Sequence, residues 1–211
     1  MTVFVSDVPA STAVLCVECQ NGVLGIDSVL PALAKDCGAL VSNVRRLLGA
    51  ARAVRAHVVH ATYAGALGAH PVGTARIWRT LAPATAEWQP GSPATQVLPE
   101  LLTATDVVLP RHHGLFPTRD SEVIPMLRGL GVRTVVLAGV SLNLALPHTA
   151  ADLTQAGLRV VVPRDAVGGT PLSYARQVLT HTMALLGPVT AVDELIAQWN
   201  VDGRQPEPSP R

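Results

Sequence analysis

Short apolar runs alternate with longer amphipathic ones along most of the chain. Thr12 to Val17, Ala56 to Thr62, Asp106 to Pro110, Arg133 to Ala138, Leu158 to Val162 and Pro188 to Thr190 read as strands. They are short, rich in Val, Leu and Ala, and bounded by polar, Gly or Pro residues. A helical pattern runs from Leu30-Pro31 to about Ala53, with Leu33, Leu40, Val44, Leu47 and Leu48 on one face and Ser28 as its cap. Thr118 is placed to cap a short helix through Leu127, which Gly129 and Gly131 end. Further helices are expected from the turn after the fourth strand to Ala156, where Gly157 stops the helix, then over Pro171 to Leu186 and Ala191 to Trp199.

Strands that alternate with helices predict one α/β domain over residues 1–200. Its expected architecture is three-layer α/β/α, with a doubly wound, mostly parallel, six-stranded sheet. Residues 1–10 read as an irregular arm, Val97 to Leu102 as a single helical turn, and 201–211, with Pro206, Pro208 and Pro210, as a disordered tail. Tyr63 to Pro93, rich in Gly, Pro, Ala and Thr, fits no element. A connection of that length reads as a lid, a binding loop or an oligomer contact.

Polarity returns abruptly at three strand ends. The first strand closes on Glu18-Cys19-Gln20-Asn21-Gly22, the third on Arg111-His112-His113-Gly114-Leu115-Phe116, and the fourth on Gly139-Val140-Ser141-Leu142-Asn143-Leu144-Ala145. In open α/β sheets ligands bind outside the carboxyl ends of strands. A charge there is costly unless it is paired or used. A helix opening after Asn143 aims its N–H groups and the positive end of its dipole at the same crevice.

Composition narrows the partners. Of the 211 residues 48% are hydrophobic but only 3% aromatic, which suits a sheet buried on both faces. The formal net charge of +1 leaves no electrostatic footprint for nucleic acid or an anionic membrane. The apolar runs are too short to span a bilayer. Cys16, Cys19 and Cys37 make no disulfide framework, and the N-terminus does not read as a signal peptide, so a cytoplasmic protein is expected. His57 and His60 fall on opposite faces of a strand, and His60 and His70 have no Asp between them. No metal and no cofactor are therefore expected.

Four segments, in order, carry a resemblance: Ala13 to Gly22; Val107 to Arg111 with Gly114 to Thr118; Val135 to Ala145; and Gly157 to Val167. Together they resemble the isochorismatase-like hydrolase superfamily, which includes nicotinamidases and other cysteine hydrolases. The resemblance covers roughly residues 11–199. It implies the same α/β fold, a small-molecule substrate, a cis peptide at Val140-Ser141 and assembly into a homodimer or homotetramer.

The resemblance also implies a catalytic Asp, Lys and Cys, and here the matching positions are Glu18, Arg111 and Ala145. The single lysine, Lys35, lies on the first long helix and does not replace the family's. Ala145 has no nucleophile, so thioester chemistry is excluded at that position. Isochorismatases proper also lack the cysteine, and their carboxylate is held to protonate a vinyl ether that water then hydrolyses. Glu18 is accordingly the candidate general acid/base. Arg111, which cannot give up its proton, is the candidate clamp for a substrate carboxylate.

Val140, Ser141, Asn143 and Leu144 of the turn, with His113, Phe116, His148 and Trp78, are the candidate substrate contacts. Backbone N–H groups near Leu144 and Ala145 are candidates to stabilise developing charge. Each assignment has a plainer alternative. Glu18 and Arg111 form a structural ion pair, His112 and His113 are loop residues, and His148 only packs. Trp78, Trp88 and Phe116 face a neighbouring subunit, and Asn143 and Asp165 are turn or cap residues. Cys19 is a weak candidate for a replacement nucleophile, and Cys16 and Cys37 read as core. Two functions stay open: a cysteine-free hydrolase acting on a small carboxylate-bearing metabolite, as in specialised metabolism, and an inactive relative that binds a ligand or partner.

Overall fold

The computed structural model describes residues 9–67 and 73–202, with side chains to residue 200. The elements are β1 (Thr12–Val17), α1 (Asn21–Leu24), α2 (Pro31–Asp36), α3 (Leu40–Ala53), β2 (His57–Tyr63), α4 (Trp78–Ala84), β3 (Val107–Arg111) and α5 (Val123–Gly129). They continue with β4 (Thr134–Val140), α6 (Ala145–Gln155), β5 (Arg159–Pro163), β6 (Val167–Gly168), α7 (Leu172–Val178), α8 (Ala184–Leu186), β7 (Val189–Thr190) and α9 (Val192–Asp202). The strands form one parallel sheet in the order β3-β2-β1-β4-β5-β7, with β6 added beside β4.

The expected three-layer α/β/α architecture is present. β1 is central and alternates strictly. Val14 and Cys16 join the core beneath α3 and α9, while Ala13, Leu15 and Val17 join the core beneath α5, α6 and α7. This is the period of two that a strand covered on both faces requires. On α3, Leu40, Val44, Leu47, Leu48 and Ala51 are buried, a stripe at helical spacing.

Several local expectations change. The sheet has a seventh strand, β6, two residues long and too short to leave a pattern. The helix expected from Leu30 to Ala53 is broken over 37–39. There Cys37 turns inward so tightly that a Cβ on Gly168 would stand 2.4 Å from its Sγ. Ser28 folds the entry turn, accepting the Leu30 N–H at 3.0 Å and donating to Val23 O at 2.6 Å. Thr118 caps no helix. Its hydroxyl donates to Asp152 Oδ2 on α6 at 2.7 Å, and α5 starts at Val123 instead. The helix expected over Pro171 to Leu186 is interrupted by a π turn at Leu179–Met183, which buries Met183 fully. The unassigned stretch holds α4, disguised in sequence by Pro83 inside it. Of the arm expected over 1–10 and the tail expected over 201–211, residues 1–8 and 203–211 lie outside the described residues, as does His70, whereas Pro9–Ser11 form a short 3-10 turn and 201–202 continue α9. Among the described residues no helix is long and apolar enough to cross a membrane.

Candidate functional site

The carboxyl ends of β1, β2, β3 and β4 converge on one cavity of about 70 Å³. Glu18 follows β1 directly. Its N–H donates to Ala61 O at 2.9 Å, and its φ of 53° lies in the left-handed region, where a side chain is seldom found. Two residues on, the fully buried Gln20 ties the strand ends together. Its Nε2 donates to Tyr63 O at 2.9 Å and Thr95 O at 2.8 Å, and its Oε1 accepts the Tyr63 N–H at 2.8 Å. The backbone strain at Glu18 is thus held between two fixed points.

Arg111 ends β3 and is buried. Its Nη2 donates to Glu18 Oε1, its Nε donates to Gly114 O at 3.4 Å, and its guanidinium carbon stands 5.2 Å from the Tyr63 ring centre. Nη1 is buried with no hydrogen-bond partner among the described residues. A buried guanidinium N–H without an acceptor is costly.

The third wall is the turn after β4. The Val140-Ser141 peptide is cis, the form that the resemblance implied. Ser141, Leu144 and Ala145 line the cavity. The Leu144 N–H is spent on Ser141 O at 3.3 Å, whereas the N–H groups of Ser141 and Ala145 find no backbone acceptor among the described residues. Asn143 points away and clamps Thr170, donating from Nδ2 to its carbonyl and accepting its N–H at 3.0 Å. Asp165 likewise supports from behind, its Oδ1 accepting the N–H of Val192 at the start of α9 at 2.9 Å.

The remaining wall is apolar. Trp78 and Trp88 flank Tyr63 with ring centres 5.8 and 6.0 Å away. Leu30, Leu81 and Leu115 add aliphatic surface. Trp88 reaches its place because Gly22 and Gly65 have no side chains. A Cβ on Gly65, whose φ is 84°, would stand 2.0 Å from Trp88 O.

Of the residues singled out from the sequence, Glu18, Arg111, Ala145, Ser141, Leu144 and Trp78 meet at this cavity. Val140, Asn143, His113, Phe116 and His148 stand outside its lining. His148 is exposed, stacks on Phe116 at 3.9 Å and bonds its own helix turn through Leu144 O. His112 donates from Nδ1 to Gly65 O at 2.9 Å. His113 lies on an outer groove with Asp120 and Glu122, behind Arg111. Tyr63 and Leu115 were not expected. Tyr63 is the last residue of β2, and pattern alone does not tell whether such a terminal side chain faces the crevice. Cys19 is turned into the core, its thiol 3.7 Å from Val17 O. The neighbouring Cys16 thiol, and then burial, push its pKa well above the usual range. Among the described residues no three His, Cys, Asp or Glu side chains converge to hold a metal.

Comparison with known proteins shows the family and the fold. The model of the isochorismatase domain family matches residues 12–194. The sequence is similar to the maleamate amidohydrolase of Pseudomonas putida KT2440, 31% identical over 145 residues, which are 66% of this chain and 56% of the relative. It is also similar to the uncharacterized isochorismatase family protein YecD of Escherichia coli O157:H7, 30% identical over 101 residues, 46% of this chain and 53% of the relative. The chain therefore matches just over half the length of these two relatives. In fold it is similar to a cysteine hydrolase from Pseudomonas syringae pv. phaseolicola 1448A, with a TM-score of 0.79 at 22% identity, covering 92% of this chain and 94% of that one.

Proposed function

The chain belongs to the isochorismatase family, and from that premise we propose that it is a hydrolase working without a cysteine nucleophile on a small carboxylate-bearing metabolite. One observation carries the reading. In one mostly apolar cavity that Ala145 also lines, Glu18 and Arg111 are paired, and one buried nitrogen of Arg111 has no partner among the described residues. Ala145 stands at the family's nucleophile position, where a methyl group rules out a covalent acyl intermediate.

In this reading Arg111 holds the substrate carboxylate and Glu18 moves the proton. With a vinyl ether, the Glu18 carboxyl gives its proton to the terminal alkene carbon and leaves an oxocarbenium ion. Water adds to that ion, and the hemiketal collapses to a ketone and an alcohol as Glu18 regains a proton. With an amide or ester attacked by water, negative charge develops on the carbonyl oxygen instead, and the N–H groups of Ser141 and Ala145, which have no backbone acceptor among the described residues, stabilise it.

Ala145 also supports a second reading, a binding protein that has lost catalysis. One assay separates the two: turnover of small carboxylate-bearing amides, esters and vinyl ethers by wild type and by Glu18→Gln. Turnover that falls at least a hundredfold in a folded Glu18→Gln protein is expected. Turnover retained in full removes Glu18 as the acid. Absence of turnover in wild type across a panel that includes a bound ligand favours the binding protein.

A further inference from the structure

Two spaces meet at Trp88. Among the described residues it alone lines both the cavity of about 70 Å³ and an outer groove of about 750 Å³. That groove runs between the loop after α1, with Gly25, Ile26 and Asp27, and the end of α4 with the segment that follows, Pro83 to Glu87. Ile26, Asp27, Pro83 and Glu87 are exposed, so the groove is open to solvent. The indole stands between the two spaces. On the cavity side its ring centre is 6.0 Å from that of Tyr63. On the groove side it lies against Gly22, where an added Cβ would come 2.3 Å from Cζ2 and 2.7 Å from Cη2. Contact this close on both sides holds the ring in place.

The space that Trp88 closes off is small. A water-sized group occupies roughly 10–15 Å³ of such volume, so about 70 Å³ holds about five to seven of them. Apart from the Glu18–Arg111 pair, the described lining residues carry no charge and most are apolar. The part of a ligand that does not react therefore gains by being apolar. Beyond the indole the groove offers further apolar surface from Ala84, Ala86, Pro93, Ala94 and Ile26. We infer that Trp88 sets the length of the substrate: the site takes compounds with an apolar body that ends within about five to seven non-hydrogen atoms, head group included, and a smaller side chain at this position joins cavity and groove and admits longer ones. The inference rests on this cavity as the substrate site, and not on which head group Glu18 and Arg111 hold. Trp88 meets the apolar body rather than the reacting atoms, so it selects substrates without taking part in the chemistry.

The test is binding of two straight-chain series, acetate to octanoate and acetamide to octanamide. Kd is read from the ligand dependence of Tm in wild type, Trp88→Ala and Trp88→Phe. In wild type Kd is expected to tighten about fourfold per added methylene, and to stop tightening at about pentanoate or pentanamide. In Trp88→Ala the gain is expected to continue to octanoate or octanamide, and in Trp88→Phe the stop moves to a longer chain. Trp88→Phe keeps a ring beside Tyr63 and keeps the test readable if Trp88→Ala does not fold. Gains that run on to octanoate in wild type overturn the inference, as does a stop at the unchanged chain length in a folded Trp88 variant. Binding of amides but not carboxylates, with the stop in place, removes the carboxylate reading and supports this inference. Failure of both series to bind wild type overturns the cavity as the binding site and this inference with it.

Discussion

Arg111 donates through Nη2 to Glu18 while its Nη1 stays buried without a partner. The pair therefore does two things at once. It neutralises a carboxylate at the end of a central strand, and it leaves one buried guanidinium nitrogen unsatisfied among the described residues.

The pair is expected to couple in stability. Arg111→Ala strands Glu18 beside an apolar cavity and costs about 3 kcal/mol, the low end for breaking a buried pair, because the Glu18 side chain keeps 17% exposure. The double variant Glu18→Gln with Arg111→Met removes both charges and regains most of that loss. Urea unfolding at neutral pH measures both, and additive losses contradict the coupling.

Gly65 holds the aromatic wall in place. With φ at 84° and Trp88 O 2.0 Å from the site of an added Cβ, Gly65→Ala must move Trp88. A stability loss of about 2 kcal/mol and at least tenfold weaker ligand binding are expected. Unchanged binding in the folded variant means that Trp88 is not part of the binding wall.

His60 makes the fold acid-sensitive away from the cavity. It is buried, with Nε2 3.3 Å from Asp106 Oδ2 and Nδ1 unpartnered. Burial lowers its pKa below the usual 6.5, against the opposing pull of Asp106. The unfolded chain therefore binds the proton more readily. Stability from this group is complete above pH 6.5 and is lost as pH falls from there through the lowered folded value. Urea unfolding of wild type and His60→Gln between pH 7.5 and 5 reads the effect. The wild-type decline should be steeper, and parallel declines contradict the assignment.

The central strands were legible because strands covered on both faces write themselves as unbroken Val, Leu and Ala runs, as Thr12–Val17 does. Glu18 and Arg111 stood out for the complementary reason, charge at the end of such a run. What sequence did not carry was set by tertiary approach. β6 exists because Gly139 and Val140 offer an edge to Val167 and Gly168. The break before α3 exists because Cys37 packs on Gly168. Thr118 offered a helix cap that Asp152 outcompeted from another element. Tyr63 joined the cavity because Gln20, from the turn between β1 and α1, fixes its backbone.

The most direct test of the central claim is thermal unfolding of wild type and Arg111→Ala with acetate, crotonate and benzoate. A ligand at a hundred times its Kd adds about 2.7 kcal/mol to the folded state, a shift of roughly 5–10 °C for a domain of this size. Stabilisation of wild type by at least one of these carboxylates, absent in the variant, is the predicted result. The same shift in both proteins, or none in wild type, contradicts Arg111 as the clamp of a working site.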